Sequence, residues 1–254
     1  MTAVAKMDII HIWNTLLSAM RYELQRLETV GLRLGYHPNH YVRYTAVCDA
    51  ILRCAPHRTL LVLGCGPGLL EYILPGGIDC TSIDLNESAL ALARDINRHK
   101  PRRCFLQGDI YQLPCIVGER RFDVVCISEV LEHLPDDAAV LRLAASALAP
   151  RGHLVLTVPN GKRLENRVLG WLGREPILMA PGHLREYSLA SARQLLREGG
   201  FRPRRRRGVY FSFPRPYVAE RFISPYSLAH SALASMFPSV ATYLLFTAHP
   251  ATGN

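Results

Sequence analysis

Three glycines at alternate positions follow the apolar run Leu60–Leu63, in the stretch LVLGCGPGLLE over residues 61–71. Glycine lets the backbone take positive φ and lets another molecule approach the main chain closely. A tight strand-to-helix turn would account for Gly64, Gly66 and Gly68, and so would a backbone cradle for a ligand. The dinucleotide fingerprint is G-x-G-x-x-G. Here the third glycine comes one residue early, and Leu69 stands where the last should be. That spacing counts against NAD.

Two carboxylates follow at related places. Asp84 ends SID, 20 residues after Gly64, and Asp109 lies in GDI. A carboxylate at the first position can accept from both ribose hydroxyls, each such charged hydrogen bond being worth roughly 1.5–3 kcal/mol. One at the second can accept from the exocyclic amine of adenine. The plainer readings are a helix N-terminal acid before Ser88 and a loop carboxylate. Together with the glycines the two acids outline an adenosine pocket that needs no pyrophosphate-binding helix.

The elements that must hold these residues alternate. Strand-like runs occur at Leu60–Leu63, Thr81–Ile83, Cys104–Leu106, Val124–Ile127, His153–Val158 and Tyr243–Thr247, and residues 208–213 read as a sixth strand preceding the last. Helical patterns fall at Tyr41–Leu52, Ser88–Asn97, Asp136–Ala149, Leu189–Gly199 and around Ser227–Met236. Alternation of this kind, with strands that are continuously apolar, predicts an α/β fold with a doubly wound, mostly parallel seven-stranded sheet. A late strand inserted antiparallel suits the changed order after residue 200. Ligands of such sheets bind beyond the carboxyl ends of the strands, where strand order reverses. Residues 7–30 carry a helical apolar stripe, so residues 1–40 form an N-terminal helical extension or lid and residues 41–254 the main domain.

As an ordered set, LLVLGCGPG, SIDLNESAL, GDI, FDVVCISEVLEHLPD, TVPNG and GHLREYSLASARQLLREGGF resemble the class I S-adenosylmethionine-dependent methyltransferases over about residues 40–213. Among these they are most similar to small-molecule enzymes, including the quinone-biosynthesis O-methyltransferases with a similar EHLPD. The resemblance implies that Gly64, Cys65, Gly66 and Gly68 wrap the methionine part, that Asp84 holds the ribose with Leu85 beside the adenine, and that Asp109 and Ile110 flank the adenine. Ser128 and Glu129 would line the floor under the sulfonium. Arg43, 21 residues before Gly64, falls near a position where quinone-type enzymes place an arginine at the cofactor. The family's acid two residues before the first glycine is missing: Val62 stands there, so Glu71 or Glu129 substitutes or the cofactor binds more weakly.

A sulfonium methyl is already activated. In-line alignment in a dry site can supply on the order of 7–11 kcal/mol, and a base is needed only for a protonated acceptor such as a hydroxyl. His133 in LEHLPD and His183 in GHLREY are the candidate bases, since a neutral imidazole suits that task near pH 7. The alternatives are a capping residue and a hydrogen-bonded loop histidine. Asn160 and Tyr187 are candidate substrate contacts, Asn160 being equally readable as a turn residue. The long connection from Lys162 to Pro181 carries Trp171, Leu172, Ile177, Leu178 and Met179. It reads either as an apolar lid over an apolar or aromatic acceptor or as plain packing.

The chain has 254 residues, 49% of them hydrophobic, which is ample for one large domain. The net charge of +9 includes Arg202 and Arg204–Arg207, a local patch that could solvate a strand end or meet phosphate, an anionic lipid surface or an acidic carrier protein. Seven cysteines with no C-x-x-C pair argue against a disulfide framework or zinc site, and no metal is expected. Together with the absence of a signal-peptide pattern they place the chain in the cytoplasm. From Phe222 to Asn254 there is no Asp, Glu, Lys or Arg. We read this stretch as a buried helix and strand, with a peripheral membrane contact left open. The leading reading is a methyltransferase using S-adenosylmethionine, converted to S-adenosylhomocysteine, on a small-molecule hydroxyl. The alternatives are an RNA methyltransferase, disfavoured because ISEV replaces an NPPY-type tetrapeptide, and a degenerate non-catalytic binding protein. The N-terminal helix could also serve a homodimer.

Overall fold

The computed structural model describes residues 38–54, 59–211 and 228–251. The amphipathic stretch at residues 7–30 lies outside them. In chain order the described elements are α1 (Pro38–Arg53), β1 (Thr59–Leu63), α2 (Leu69–Ile73), β2 (Asp79–Asp84), α3 (Glu87–Ile96), β3 (Arg103–Gln107), α4 (Leu113–Val117), β4 (Phe122–Ser128), α5 (Asp137–Ala147), β5 (Leu148–Pro159), α6 (Leu164–Trp171), α7 (Leu189–Glu198), β6 (Phe201–Val209), α8 (Leu228–Met236) and β7 (Tyr243–Pro250). Short 3-10 turns cover Ile110–Gln112 and Leu131–His133.

The seven strands form one sheet in the order β3-β2-β1-β4-β5-β7-β6. β1 to β5 pair in parallel, and β7 is antiparallel to both β5 and β6. The expected seven-stranded, mostly parallel sheet with a late antiparallel insertion is therefore present. Strand alternation divides the core: Leu61, Leu63, Val125 and Ile127 pack on one face and Leu60, Val62, Val124 and Cys126 on the other. A strand buried on both faces must be apolar at every position, which is why the period-two signal is missing from the sequence. Each fully buried Leu or Val contributes about 1.5–3 kcal/mol relative to exposure.

One element differs from expectation. The sixth strand runs over Phe201–Val209 and contains the arginine run, rather than beginning after it at 208. β6 is an edge strand, so its arginines extend into water while its backbone pairs with β7. Charged side chains on an exposed edge also discourage pairing with another sheet.

The chain leaves β1, builds β2 and β3 on one side, then returns to place β4 on the other. The carboxyl ends of β1 and β4 thus flank the reversal point of strand order, where an open α/β sheet leaves a crevice.

Candidate active site

The glycine loop fills that crevice. Gly64, Gly66 and Gly68 all have positive φ, at 75°, 52° and 71°. A Cβ on Gly64 would lie 2.4 Å from Val130 Cγ2, so this glycine lets the loop after β1 pack on the segment after β4. At Gly66 the reason differs. Nothing lies within 4 Å of the position its Cβ would take, so the main chain there is open to a ligand. The loop is tied to β2: Gly64 N and Cys65 N donate to Ile83 O, and Gly66 N donates to Asp84 Oδ2 at 2.7 Å. Asp84 Oδ1 accepts from Asn86 N at 2.9 Å. Each carboxylate oxygen keeps a second lone pair. Gly108 N bonds Asp84 O, which brings β3's end alongside. Asp109 caps the following turn by accepting from Tyr111 N, with Ile110 buried behind it and Leu85 exposed. The glycines, Asp84 and Asp109 therefore stand on one rim.

Val62 leaves no acid on β1, but an acid arrives from α2. Glu71 is fully buried and its Oε1 accepts from Ser82 Oγ at 2.5 Å. Ser82 is the register partner of Val62, so the carboxyl lies beside the place where the family's acid would stand. Among the described residues Glu71 Oε2 has no hydrogen-bond partner, and burial pushes the group up to about 7. Cys65 sits on the rim through its backbone; burial pushes its thiol pKa upward and keeps it protonated.

β4's end supplies the second wall. Ser128 Oγ is 2.9 Å from Thr157 Oγ1 and accepts from Arg43 Nη1 at 3.4 Å. The Arg43 guanidinium lies 5.0 and 5.5 Å from the rings of Tyr44 and Tyr243. Burial opposes its charge, but Glu129, Tyr44, Tyr243 and Glu132 outweigh that and raise its pKa. Glu129 holds a left-handed backbone at φ 58°, a cost for a non-glycine residue that only surrounding structure can impose. Its Oε1 and both carboxylate oxygens of the buried Glu132 are sheltered without hydrogen-bond partners among the described residues. Burial drives both carboxyls upward; Arg43 opposes this at both, and Glu129 adds to it at Glu132. Burial thus holds protons on both carboxyls beside the charged guanidinium, and a cation placed before them would favour their ionised forms.

The two candidate bases meet. The rings of His133 and His183 are 4.8 Å apart, edge to face. His133 Nδ1 bonds Gly182 O at 3.1 Å; a carbonyl only accepts, so Nδ1 carries the hydrogen and Nε2 the lone pair. His183 Nδ1 faces Glu186 Oε1 at 3.4 Å, which assigns the same tautomer. Burial, then the neighbouring His133, lowers the pKa of His183 despite Glu186. Glu186 is a hub that the sequence reading missed. Arg163 Nη1 donates to its Oε2 at 2.5 Å, Met179 N to its Oε1, and both charged side chains are buried. No local signal marks the pair: Arg163 is one of six charged residues from Lys162 to Pro181, and Glu186 directly follows Arg185. Glu132, His133 and His183 also offer three ligand atoms within 4.8 Å of one another, so among the described residues this cluster is where a metal ion could be held.

Two expected substrate contacts are corrected. Asn160 is fully buried; its amide donates to Ser239 O and Ala241 O, and its Oδ1 accepts from Lys162 N. Tyr187 is 4% exposed and its hydroxyl donates to Asp137 Oδ2 at 2.7 Å. Both pin the loop rather than face a ligand. The Lys162–Pro181 connection leaves Trp171, Leu172, Ile177 and Leu178 exposed rather than packed on the body.

A family described as a methyltransferase domain matches residues 39–205. The chain belongs to that family. The recognition of a class I methyltransferase fold from its motifs is thereby borne out. Similar curated proteins include the ubiquinone biosynthesis O-methyltransferases of Idiomarina loihiensis, 30% identical over 148 residues (58% of this chain, 56% of the relative), and of Marinobacter nauticus, 37% identical over 105 residues (39% and 43%). The chain spans about half the length of the curated relatives it matches. Similar solved structures include the N-methyltransferase NodS of Bradyrhizobium japonicum in complex with S-adenosyl-L-homocysteine, with TM-score 0.59 and 18% identity over 87% of this chain and 92% of that one. The methyltransferase CcbJ of Streptomyces caelestis has TM-score 0.61 and 16% identity over 85% and 97%. At these identities the structures establish the fold.

Proposed function

We propose that this chain binds S-adenosylmethionine in the crevice beyond β1 and β4 and methylates a hydroxyl on an apolar or aromatic small molecule. The observation that carries the cofactor reading is the open backbone at Gly66 bonded to Asp84, next to a wall with sheltered, unpartnered carboxyl oxygens. The residues fit the group: Asp84 has lone pairs for ribose hydroxyls, Asp109 and Ile110 stand at the adenine side, and Arg43, Ser128, Glu129 and Glu132 surround the charged end. When bound, the cofactor supplies a methyl on a cationic sulfur.

The remaining steps belong to the chain's own residues. A cation in front of Glu129 and Glu132 would draw off the protons that burial holds on them, and the ionised carboxylates would favour a sulfonium over the neutral thioether left after transfer. His183, with Nδ1 turned to Glu186, presents Nε2 as the proton acceptor. It would take the proton of an acceptor hydroxyl held in front of it, while the methyl's bond to sulfur would be exchanged for one to the acceptor oxygen. Its lowered pKa keeps it neutral near pH 7, the state a base must start from. His133 holds the same tautomer 4.8 Å away and is the second acceptor site. The hydroxyl assignment draws on the names of the curated relatives and on this pair of imidazoles. Exposed Trp171 and Leu178 on the connection after β5 support an apolar acceptor. Seven free cysteines support a reducing compartment such as the cytoplasm; among the described residues no helix is long and apolar enough to cross a membrane.

The test is calorimetric titration with S-adenosylhomocysteine, followed by transfer of a labelled methyl to a panel of phenols and matched aromatic amines. Saturable binding and transfer to phenols are expected. Binding without transfer to any phenol, or transfer to amines alone, overturns the hydroxyl reading. No binding overturns the cofactor reading.

A further inference from the structure

At the opposite end of the sheet, where the parallel strands begin, two clefts adjoin. One, of about 600 Å³, lies between β6, β7 and the end of α1 and is lined by Arg53 and Arg204–Arg207 with His153 and His249. The other, of about 790 Å³, shares His249 and is lined by Arg121, Arg142 and Arg151. Among the described residues neither is lined by a lysine, and the only carboxylate lining either is Asp49.

That carboxylate is already occupied. Arg53 Nε donates to its two oxygens at 2.9 and 3.0 Å, and Arg207 Nη1 lies 3.6 Å away. Arg207 is further fixed by Ser231 and by Ser235 at 2.8 Å. Arg204, Arg205 and Arg206 are exposed and form no ion pair with any described residue. A regular strand would send successive side chains to opposite faces. The register of β6 against β7 shifts between Pro203 and Arg205, a bulge that re-aims the chain and lets neighbouring arginines line one cleft. Guarding an edge strand needs only scattered charges. Uncompensated guanidiniums gathered in a concavity create a strong positive potential. The planar guanidinium fork matches phosphate oxygens two at a time, as an ammonium cannot. The cleft's volume is that of an ordinary small-ligand site.

We propose that the Arg204–Arg207 cleft binds a ligand carrying two or more phosphate groups, at a site separate from the methyl-transfer crevice. The phosphates would belong to a free phosphorylated small molecule or to a lipid headgroup.

The probe is inorganic pyrophosphate, titrated calorimetrically into the full chain. Saturable binding is expected, and Arg205→Ala/Arg206→Ala should weaken it at least about tenfold with the melting temperature unchanged, since neither side chain holds an ion pair with any described residue. Arg205→Lys/Arg206→Lys keeps the charge, loses the fork and should fall between the two. Arg98→Ala/Arg102→Ala removes equal charge from exposed pairs elsewhere and should stay within about twofold of the parent. Flotation with cardiolipin-containing but not phosphatidylcholine vesicles, lost in the alanine pair and displaced by pyrophosphate, assigns the headgroup source. Pyrophosphate binding without flotation assigns a free ligand. No saturable binding, equal loss in the control pair, or arginine-dependent RNA binding that pyrophosphate fails to displace would overturn the proposal.

Discussion

The proposed cofactor rim and the proposed base cluster are built in different ways. The rim is made mostly of main chain: Gly64, Cys65 and Gly66 donate N–H groups to residues at the end of the neighbouring strand, and Asp84 is held by two backbone amides. The cluster is made of side chains from two segments about fifty residues apart. His133 bonds Gly182 O, Leu184 N bonds Glu132 O, Arg185 reaches Pro135 O and Asp137, and Tyr187 reaches Asp137. The rim should therefore set cofactor affinity and tolerate changes in the cluster. The cluster should set rate and acceptor choice and tolerate little change in its own second layer.

The sharpest way to break this division is Asp84→Ala. If Asp84 holds the ribose as proposed, losing two charge-assisted hydrogen bonds should weaken S-adenosylhomocysteine binding about 100-fold or more, measured by calorimetry. An affinity within a factor of three of the parent would remove Asp84 from the rim. Glu186→Gln probes the other half. It removes the charge behind His183 and weakens the Arg163 bond, so methyl transfer should slow by about 10- to 100-fold while S-adenosylhomocysteine affinity holds. The pH profile adds a sign. Glu186 raises the pKa of His183 against burial; without that charge the pKa falls further. The rate, which rises as the base loses its proton, should then rise at lower pH and level off lower. An unmoved acid limb would mean His183 is not the base.

The same division explains what was legible in the sequence. Gly64, Gly66, Gly68, Asp84 and Asp109 lie at strand ends within short motifs, and local rules about positive φ and strand alternation locate them. The sheet was legible because doubly buried strands such as Leu60–Leu63 and Val124–Ile127 are unbroken apolar runs. Glu186 and Arg163 were not, because their significance is a 2.5 Å contact between residues 23 apart, with α6 and a long connection between them. Asn160 and Tyr187 were misread for the same reason: their polar groups look free until the chain folds back and supplies Ala241 O and Asp137. β6 was drawn too late because four successive arginines look like a loop, and only an edge position lets them be a strand. The role Glu71 takes beside Val62 rests on one register pair, Val62 with Ser82, that no local pattern encodes.

Glu71→Gln sharpens that point at intermediate size. Burial lifts its pKa from 4.5 to about 7, so the folded state prefers the protonated form. The stability this gives is complete below pH 4.5 and lost as pH rises through 7, up to on the order of 3 kcal/mol. Gln cannot ionise, so the variant should gain on the parent between pH 5 and pH 8 in urea unfolding. If the charged form serves the cofactor's cation, the variant should also bind S-adenosylmethionine less well relative to S-adenosylhomocysteine. A stability difference that is flat with pH would mean the carboxyl is not buried as an acid.

The smallest change tests whether the two halves communicate. Ser188 caps α7: its Oγ accepts from Ser191 N at 3.0 Å, and Ser191 Oγ accepts from Ser188 N at 2.8 Å. The helix begins directly after Glu186 and Tyr187, so the cap is what stops the cluster's second segment from fraying. Ser188→Ala should cost about 1 kcal/mol and lower the melting temperature by a few degrees. If the cluster alone depends on that segment, the acceptor KM should rise while S-adenosylhomocysteine affinity stays put, because no rim bond passes through α7. A parallel loss of cofactor affinity would show that the rim leans on the side-chain half after all, through the Glu132–Leu184 backbone bond and the contact of Val130 with Gly64.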